Sequence, residues 1–304
     1  AEELKQFTIF ATCGTPRIFE EAARKYVFRT MGHATADNVA AAMYVKEKFP
    51  DMKGYTGINQ NYAWGQDSWR DFDLTLQQIM PNTKASDKTQ FPKIFAGQYG
   101  SEISAMSLDK ADLVHTSFWG GDLEAFIFQG NARGLFKKKI GVFTVGGTAA
   151  YRLGKKLPNG LVLGARGPYG ILVRDRDTAL NNWFVSTYKN LYGTYPSGPA
   201  YQYGQAILAA KIAYDKAGSD ATNEQLADAL RGVTFESFST TIEMKLGNGH
   251  QAATENGYGI TEYDSENGEN VVKDVKFYPA SCVLPPEGQN SVDWIKGGMK
   301  GAKC

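Results

Sequence analysis

Residues 54–81 read GYTGINQNYAWGQDSWRDFDLTLQQIMP, and their order decides the fold. Residues 54–59 are a short β-rich run. Tyr62 and Trp64 follow, just ahead of Gly65. Between Gly65 and Met80, Trp69, Phe72, Leu76 and Ile79 recur at helical spacing. Pro81 then stops the helix, because it lacks the N–H and clashes with the preceding turn. Strand, aromatic loop and amphipathic helix together make one βα unit.

The same order repeats on both sides. Residues 7–12 (FTIFAT) are β-branched and aromatic, bounded by Gly14 and Pro16. Thr35, Asp37 and Asn38 supply cap residues for a helix over 39–49. Further strands are expected at 92–96, 111–117, 139–145 and 160–165, and helices at 101–107 and 122–133. Units of roughly 30 residues in this order predict an α/β fold, a parallel sheet with helices on both faces. After Pro168 the texture changes. Helices are expected at 177–192, 201–217 and 223–231, then strands at 240–246, 258–263 and 271–278. Gly247-Asn248-Gly249 and Asn267-Gly268 between those strands predict antiparallel pairing. Residues 1–6 read as the last turns of a helix, and 285–304 as a Gly- and Lys-rich tail.

The 304 residues allow two domains. Hydrophobic residues at 42% and charged residues at 21% exclude disorder as the main state. Lys+Arg 33 against Asp+Glu 32 gives a formal charge of +1, so charge offers no reason to expect nucleic acid or an anionic membrane as partner. No run reaches the roughly 18 apolar residues of a membrane span. The cysteines are Cys13, Cys282 and Cys304, with no CxxC pair. Cys282 and Cys304 could bridge and tie down the tail of an exported protein. Three free thiols fit the spacing equally well.

Catalytic and cofactor motifs fail on their spacing. Six residues separate Gly147 from Gly154, where a phosphate loop has four between its glycines, and no Ser or Thr follows Lys155. GARGPYG at 164–170 lacks the G-x-G-x-x-G order. No G-x-S-x-G elbow exists. His33, His115 and His250 are too scattered for a metal set, and His115 in an apolar strand reads as a satisfied core histidine. No catalytic residue, cofactor or metal ligand is assigned, and an enzyme is not expected.

Aromatics instead collect after the predicted strands, where an open α/β sheet binds its ligands. Tyr62 and Trp64, Phe118 and Trp119, Gly146-Gly147-Thr148, and Cys13-Gly14-Thr15 hold equivalent places in successive βα units. A Trp on a loop tip walls a pocket or makes an interdomain contact, and the pocket wall is preferred.

KYVFRTMGHATADNVAAAMYV at 25–45 and NYAWGQD at 61–67 resemble the substrate-binding proteins of branched-chain-amino-acid ABC transporters. GNARGLF at 130–136, GLVLGA at 160–165 and PAYQYGQAILAAKIAYDKAGS at 199–219 extend the likeness along the whole chain. The resemblance implies two Rossmann-like lobes joined by three crossings, the type I periplasmic binding fold. The crossings would fall near 30–35, 166–170 and 235–240. Lobe 1 would comprise 1–32 and the helices of 169–238, lobe 2 would comprise 33–168 and 239–304. Relatives carry two or three further βα units at the start, so lobe 1 is expected to lack them and to show an unpaired edge.

The resemblance also implies a site. Cys13 and Thr15 match the loop that meets a ligand carboxylate, and Trp64 and Trp119 match aromatics of the second lobe. With Tyr62, Phe118, Gly146, Gly147, Tyr201 and Tyr203 they form the candidate ligand-binding set. A Glu that holds an α-ammonium is expected at 145–147, and this chain has Gly146 there. An ammonium would then be buried unpaired, which is costly. An aromatic carboxylate is therefore the expected ligand, with room made by the two glycines. Branched-chain or other amino acids, short amides and urea are the alternatives. The implied partner is an inner-membrane permease, and the implied location periplasmic, or extracellular and lipid-anchored in a Gram-positive cell. A ligand-sensing receptor domain is the reading from another class.

Overall fold

The computed structural model describes residues 1–304. Its twelve strands form two sheets. The smaller has the order β1-β2-β10-β9-β8, from β1 (Thr8–Phe10), β2 (Val27–Arg29), β8 (Thr234–Glu236), β9 (Thr241–Leu246) and β10 (Gln251–Ala253). The larger has the order β12-β11-β7-β6-β5-β3-β4. It uses β3 (Gly54–Gly57), β4 (Lys84–Ala85), β5 (Leu113–Thr116), β6 (Ile140–Phe143), β7 (Val162–Gly164), β11 (Asn256–Asp264) and β12 (Glu269–Tyr278). β3 to β7 pair in parallel, and β11 and β12 add antiparallel strands at one edge.

Successive residues of the central strands point to opposite faces, which is why both faces need helices. After the short α1 (Arg17–Glu20), the long helices cover the sheets: Leu113, Val142 and Val162 enter one core, with Tyr44 and Val45 of α2 (Ala34–Lys48) and Phe72 and Leu76 of α3 (Ala63–Ile79). Val114, Phe143 and Leu163 enter the other, with Ile103 of α4 (Gly100–Leu108) and Phe126 of α5 (Gly120–Ala132). On the smaller sheet, Phe28, Ile242, Met244 and Ala252 meet Ala209 and Ala213 of α6 (Gly198–Ala217) and Leu226 and Leu230 of α7 (Asn223–Leu230). Thr222 caps α7 in a reciprocal box with Gln225.

Four expectations are corrected. The third change of sheet falls at Thr254–Glu255, not near 235–240, because β9 and β10 fold back as a hairpin beside β2. Residues 239–253 therefore sit with lobe 1. A hairpin's alternation does not say which sheet it joins. No strand forms at 92–96; β3 pairs with β4, and Ile58 with Gln90 beyond it. Residues 1–6 make turns instead of a helical end. The tail contains a helix, Ser291–Lys296, whose N-terminus Asn290 caps and whose Trp294 and Ile295 are buried. A disulfide joins Cys282 to Cys304 across it, and Cys13 is free and exposed. No helix is long and apolar enough to cross a membrane.

Candidate functional site

The chain passes between the sheets at residues 30–33, at 165–169 and at 254–255. The loops that follow β1, β3, β5 and β6 meet beside these passages, and their side chains form one interlobe cluster. Trp64 is 5% exposed and packs with Ala34 and Val145, with Tyr62 and Trp119 against them. The indole nitrogens fix this wall. Trp64 Nε1 donates to the Ser117 carbonyl at 2.9 Å, and Trp119 Nε1 donates to the Tyr62 hydroxyl at 2.8 Å. Phe95 meets the Trp119 ring edge-on at 5.7 Å.

Lobe 1 faces this wall with the loop after β1. Arg29, fully buried, donates through Nη1 to the carbonyls of Cys13 (2.9 Å) and Thr15 (2.6 Å). Arg166 Nη1 donates to the Thr12 carbonyl at 2.8 Å, and the Gly14 carbonyl accepts from Ala34 N at 2.8 Å. Every carbonyl from Thr12 to Thr15 is thus engaged, whereas the N–H groups of Cys13, Gly14 and Thr15 donate to no protein group. A loop with occupied acceptors and spare donors is polarised to receive a negative group.

The Arg166 guanidinium stacks on the Trp64 ring at 4.2 Å. Its backbone takes φ 59°, a left-handed conformation that is uncommon outside glycine, and Gly167 and Gly170 carry the same passage through φ 123° and 56°. Asp37 Oδ2 forms an ion pair with Arg166 Nε at 3.7 Å, too long for a hydrogen bond, while Asn256 Nδ2 donates to Oδ1 at 2.6 Å. Burial pushes the Asp37 carboxyl up to about 6.

A charged seam runs alongside. The Thr15 hydroxyl donates to Asp67 Oδ2 at 2.6 Å, and Arg17 and Arg70 donate to Asp67 Oδ1 at 2.7 and 2.8 Å. Arg70 also pairs with Asp71 at 2.7 Å, and Thr35 donates to Asp71 at 2.7 Å. Thr15 and Arg17 come from lobe 1, Asp67 and Arg70 from α3, so the seam ties the lobes together.

Of the ten candidates, Cys13, Thr15, Tyr62, Trp64 and Trp119 come together here. Gly146 and Gly147 lie close by, but they leave no ligand space. A Cβ at Gly146 would meet Leu163 Cγ at 2.9 Å, and one at Gly147 would meet Ala165 Cβ at 2.9 Å. Those glycines let the turn after β6 sit on β7. Phe118 is fully buried among Tyr99 and Phe126, at 5.0 and 5.7 Å, as part of the core. Tyr201 is also core, donating to Asn181 Oδ1 at 2.9 Å beneath Phe184. Tyr203 is exposed and lines an apolar groove of about 480 Å³ between edge strand β1 and α6, with Phe7, Ile9, Ile207 and Tyr214; Thr12 and Cys13 border it from the other side of their loop. Arg29, Asp37, Asp67 and Arg166 escaped the sequence reading. Charged residues at and beyond strand ends and in the first turns of helices are common, and only their convergence marks these. His115 is a core histidine, bonded to Asn38 at 2.8 Å and pushed down to about 3 by burial.

Two lobes, three passages and a polar-aromatic cluster between them define a two-lobed solute-binding protein. The profile of the periplasmic binding protein family matches residues 3–269, and the chain belongs to that family. No curated protein matches it by sequence. Among solved structures it is similar to an ABC transporter solute-binding protein of Rhodopseudomonas palustris in complex with 3,4-dihydroxybenzoic acid. That match has TM-score 0.78 and 19% identity, over 92% of this chain and 74% of the other. An amino acid ABC transporter substrate-binding protein of Pseudomonas fluorescens gives TM-score 0.77 and 14% identity, over 97% and 75%. A leucine-, isoleucine-, valine-, threonine- and alanine-binding protein of Brucella ovis, in a closed conformation, gives 0.69 and 17%, over 91% and 71%. At these identities the likeness is one of fold.

Proposed function

We propose that this chain is the extracytoplasmic solute-binding component of an ABC importer, and that it traps a small organic acid, an aromatic carboxylate, between its lobes before delivery to a membrane permease. The observation that carries this reading is the donor-rich loop at Cys13–Gly14–Thr15, which packs against the Trp64 indole where the lobes meet. The loop suits a carboxylate and the indole suits a ring. Other solved structures with this fold hold benzoate and 4-hydroxybenzoate. The turn after β6 carries Gly146 and Gly147 and no carboxylate for an ammonium.

A thermal-shift screen of benzoates, cinnamates, aliphatic acids and amino acids tests the assignment. A shift with benzoates and none with leucine is expected. A shift with leucine and none with any aromatic acid would overturn it. Amino acids are the second reading, favoured by Asp37, a buried carboxylate near the cleft whose Oδ2 accepts no hydrogen bond. Recovery of bound acid unchanged after long incubation would support binding without turnover.

A further inference from the structure

The cleft contains a cation whose hydrogen bonds are incomplete. The Arg166 side chain is 11% exposed, and only Nη1 has a hydrogen-bond acceptor, the Thr12 carbonyl. Nε and Nη2 have none. Those two donors lie along one edge of the guanidinium, the edge that grips a carboxylate with two parallel bonds. Nη2 rests against Gly14, where a Cβ would come within 2.6 Å of it, and so borders the loop whose N–H groups are spare. A buried charge left with unmade bonds is expensive unless something completes them. Asp37 Oδ2 pairs with Nε across 3.7 Å and offsets the charge without making the hydrogen bond, and Arg29 adds a second guanidinium behind the same loop.

We propose that Arg166 is the residue that selects for charge in this site. Its Nε–Nη2 edge and the N–H groups of Cys13 to Thr15 take the ligand carboxylate together, while Trp64 carries the ring. The guanidinium stacks on Trp64 at 4.2 Å, and binding exchanges that stacking for the bidentate pair. The site therefore discriminates an aromatic acid from its neutral amide. This rests on the aromatic-acid reading above.

The test compares benzoate and benzamide by titration calorimetry, with Trp fluorescence as a second readout, on wild type, Arg166→Gln and Arg166→Lys. Wild type should prefer benzoate at least 30-fold. Arg166→Gln should weaken benzoate at least 30-fold and change benzamide less than threefold. Arg166→Lys should stay within a few-fold of the Gln variant, because an ammonium lacks the fork. A Gln variant that keeps its benzoate affinity, or that loses benzoate and benzamide alike, would overturn the assignment and leave the aromatic-acid reading standing. Wild type that binds neither ligand would overturn both.

Discussion

Replacing Gly14 with alanine puts one methyl group where the lobes touch. The added Cβ would lie 2.3 Å from Trp64 Cε3, 2.5 Å from Cζ3 and 2.6 Å from Arg166 Nη2. Real Cβ contacts do not come this close, so something must move. Trp64 cannot swing away freely, since its Nε1 is tied to Ser117 and its ring is 5% exposed. Arg166 is tied to Thr12. Forcing one methyl into such a contact costs about 1–3 kcal/mol. Gly14 and Trp64 approach from different lobes, so the cost falls on the arrangement in which the lobes touch, and one in which they part escapes it. At 1.4 kcal/mol per decade, affinity should fall about 5- to 150-fold. Stability without ligand should stay within about 0.5 kcal/mol of wild type. Calorimetric titration with the best-binding acid and thermal melts of the free protein measure the two quantities. Gly14→Ala with wild-type affinity would refute the claim that Trp64 closes onto this loop. An equal loss of stability without ligand would show that the contact belongs to the resting fold.

Phe118→Ala should behave in the opposite way, costing about 3–5 kcal/mol of stability by opening a core cavity, while the benzoate-to-benzamide ratio in binding stays unchanged; chemical denaturation and titration read the two effects. Cys304→Ser removes a cross-link spanning 22 residues and should cost about 3 kcal/mol on the loop-entropy estimate, seen as a lower melting temperature that added reductant does not lower further. Burial raises Asp71 to about 6 in the folded protein, from 3.8; the folded state therefore holds the extra proton between those values, and stability from this group falls as pH rises from about 4 to 6 and is level above. A raised value of about two units corresponds to about 3 kcal/mol at most, so Asp71→Asn should flatten the stability–pH curve in that window, and an unchanged slope in denaturation at pH 4.5, 5.5 and 6.5 would refute the assignment.

The parallel sheet was legible because its signals are local. Strands at 111–117 and 139–145 were β-branched runs closed by Gly or aromatic tips, and each became a strand within two or three residues of the expected ends. The helix over 65–80 declared itself through Trp69, Phe72, Leu76 and Ile79 and formed as α3. Of the hairpin at 241–253, the sequence predicts the first arm, as a strand at 240–246 in the other lobe, and gives no strand at 251–253. Its alternating pattern is the same whichever core it covers, and the deciding partner, β2, lies more than 200 residues earlier in sequence.

The site was half legible for a related reason. A loop-tip Trp can be recognised by its position after a strand, and Trp64 and Trp119 did converge. Phe118, one residue before Trp119, turned inward, since consecutive residues at a strand end face opposite ways and its neighbour's side had already been taken by the cleft. Gly146 and Gly147 misled because a missing side chain was read as space. In a packed interior a glycine more often marks a close approach, and here Leu163 and Ala165 fill what the glycines leave. Arg166 could not have been found from its own residue type. What distinguishes it is a left-handed backbone, a ring beneath it and an edge of donors without acceptors. The first of these hints at a cost that the rest of the site must justify. A non-glycine residue held in that conformation inside a passage between lobes persists because the surrounding contacts over-determine it, here the Thr12 carbonyl, the Trp64 ring and the Asp37 carboxylate.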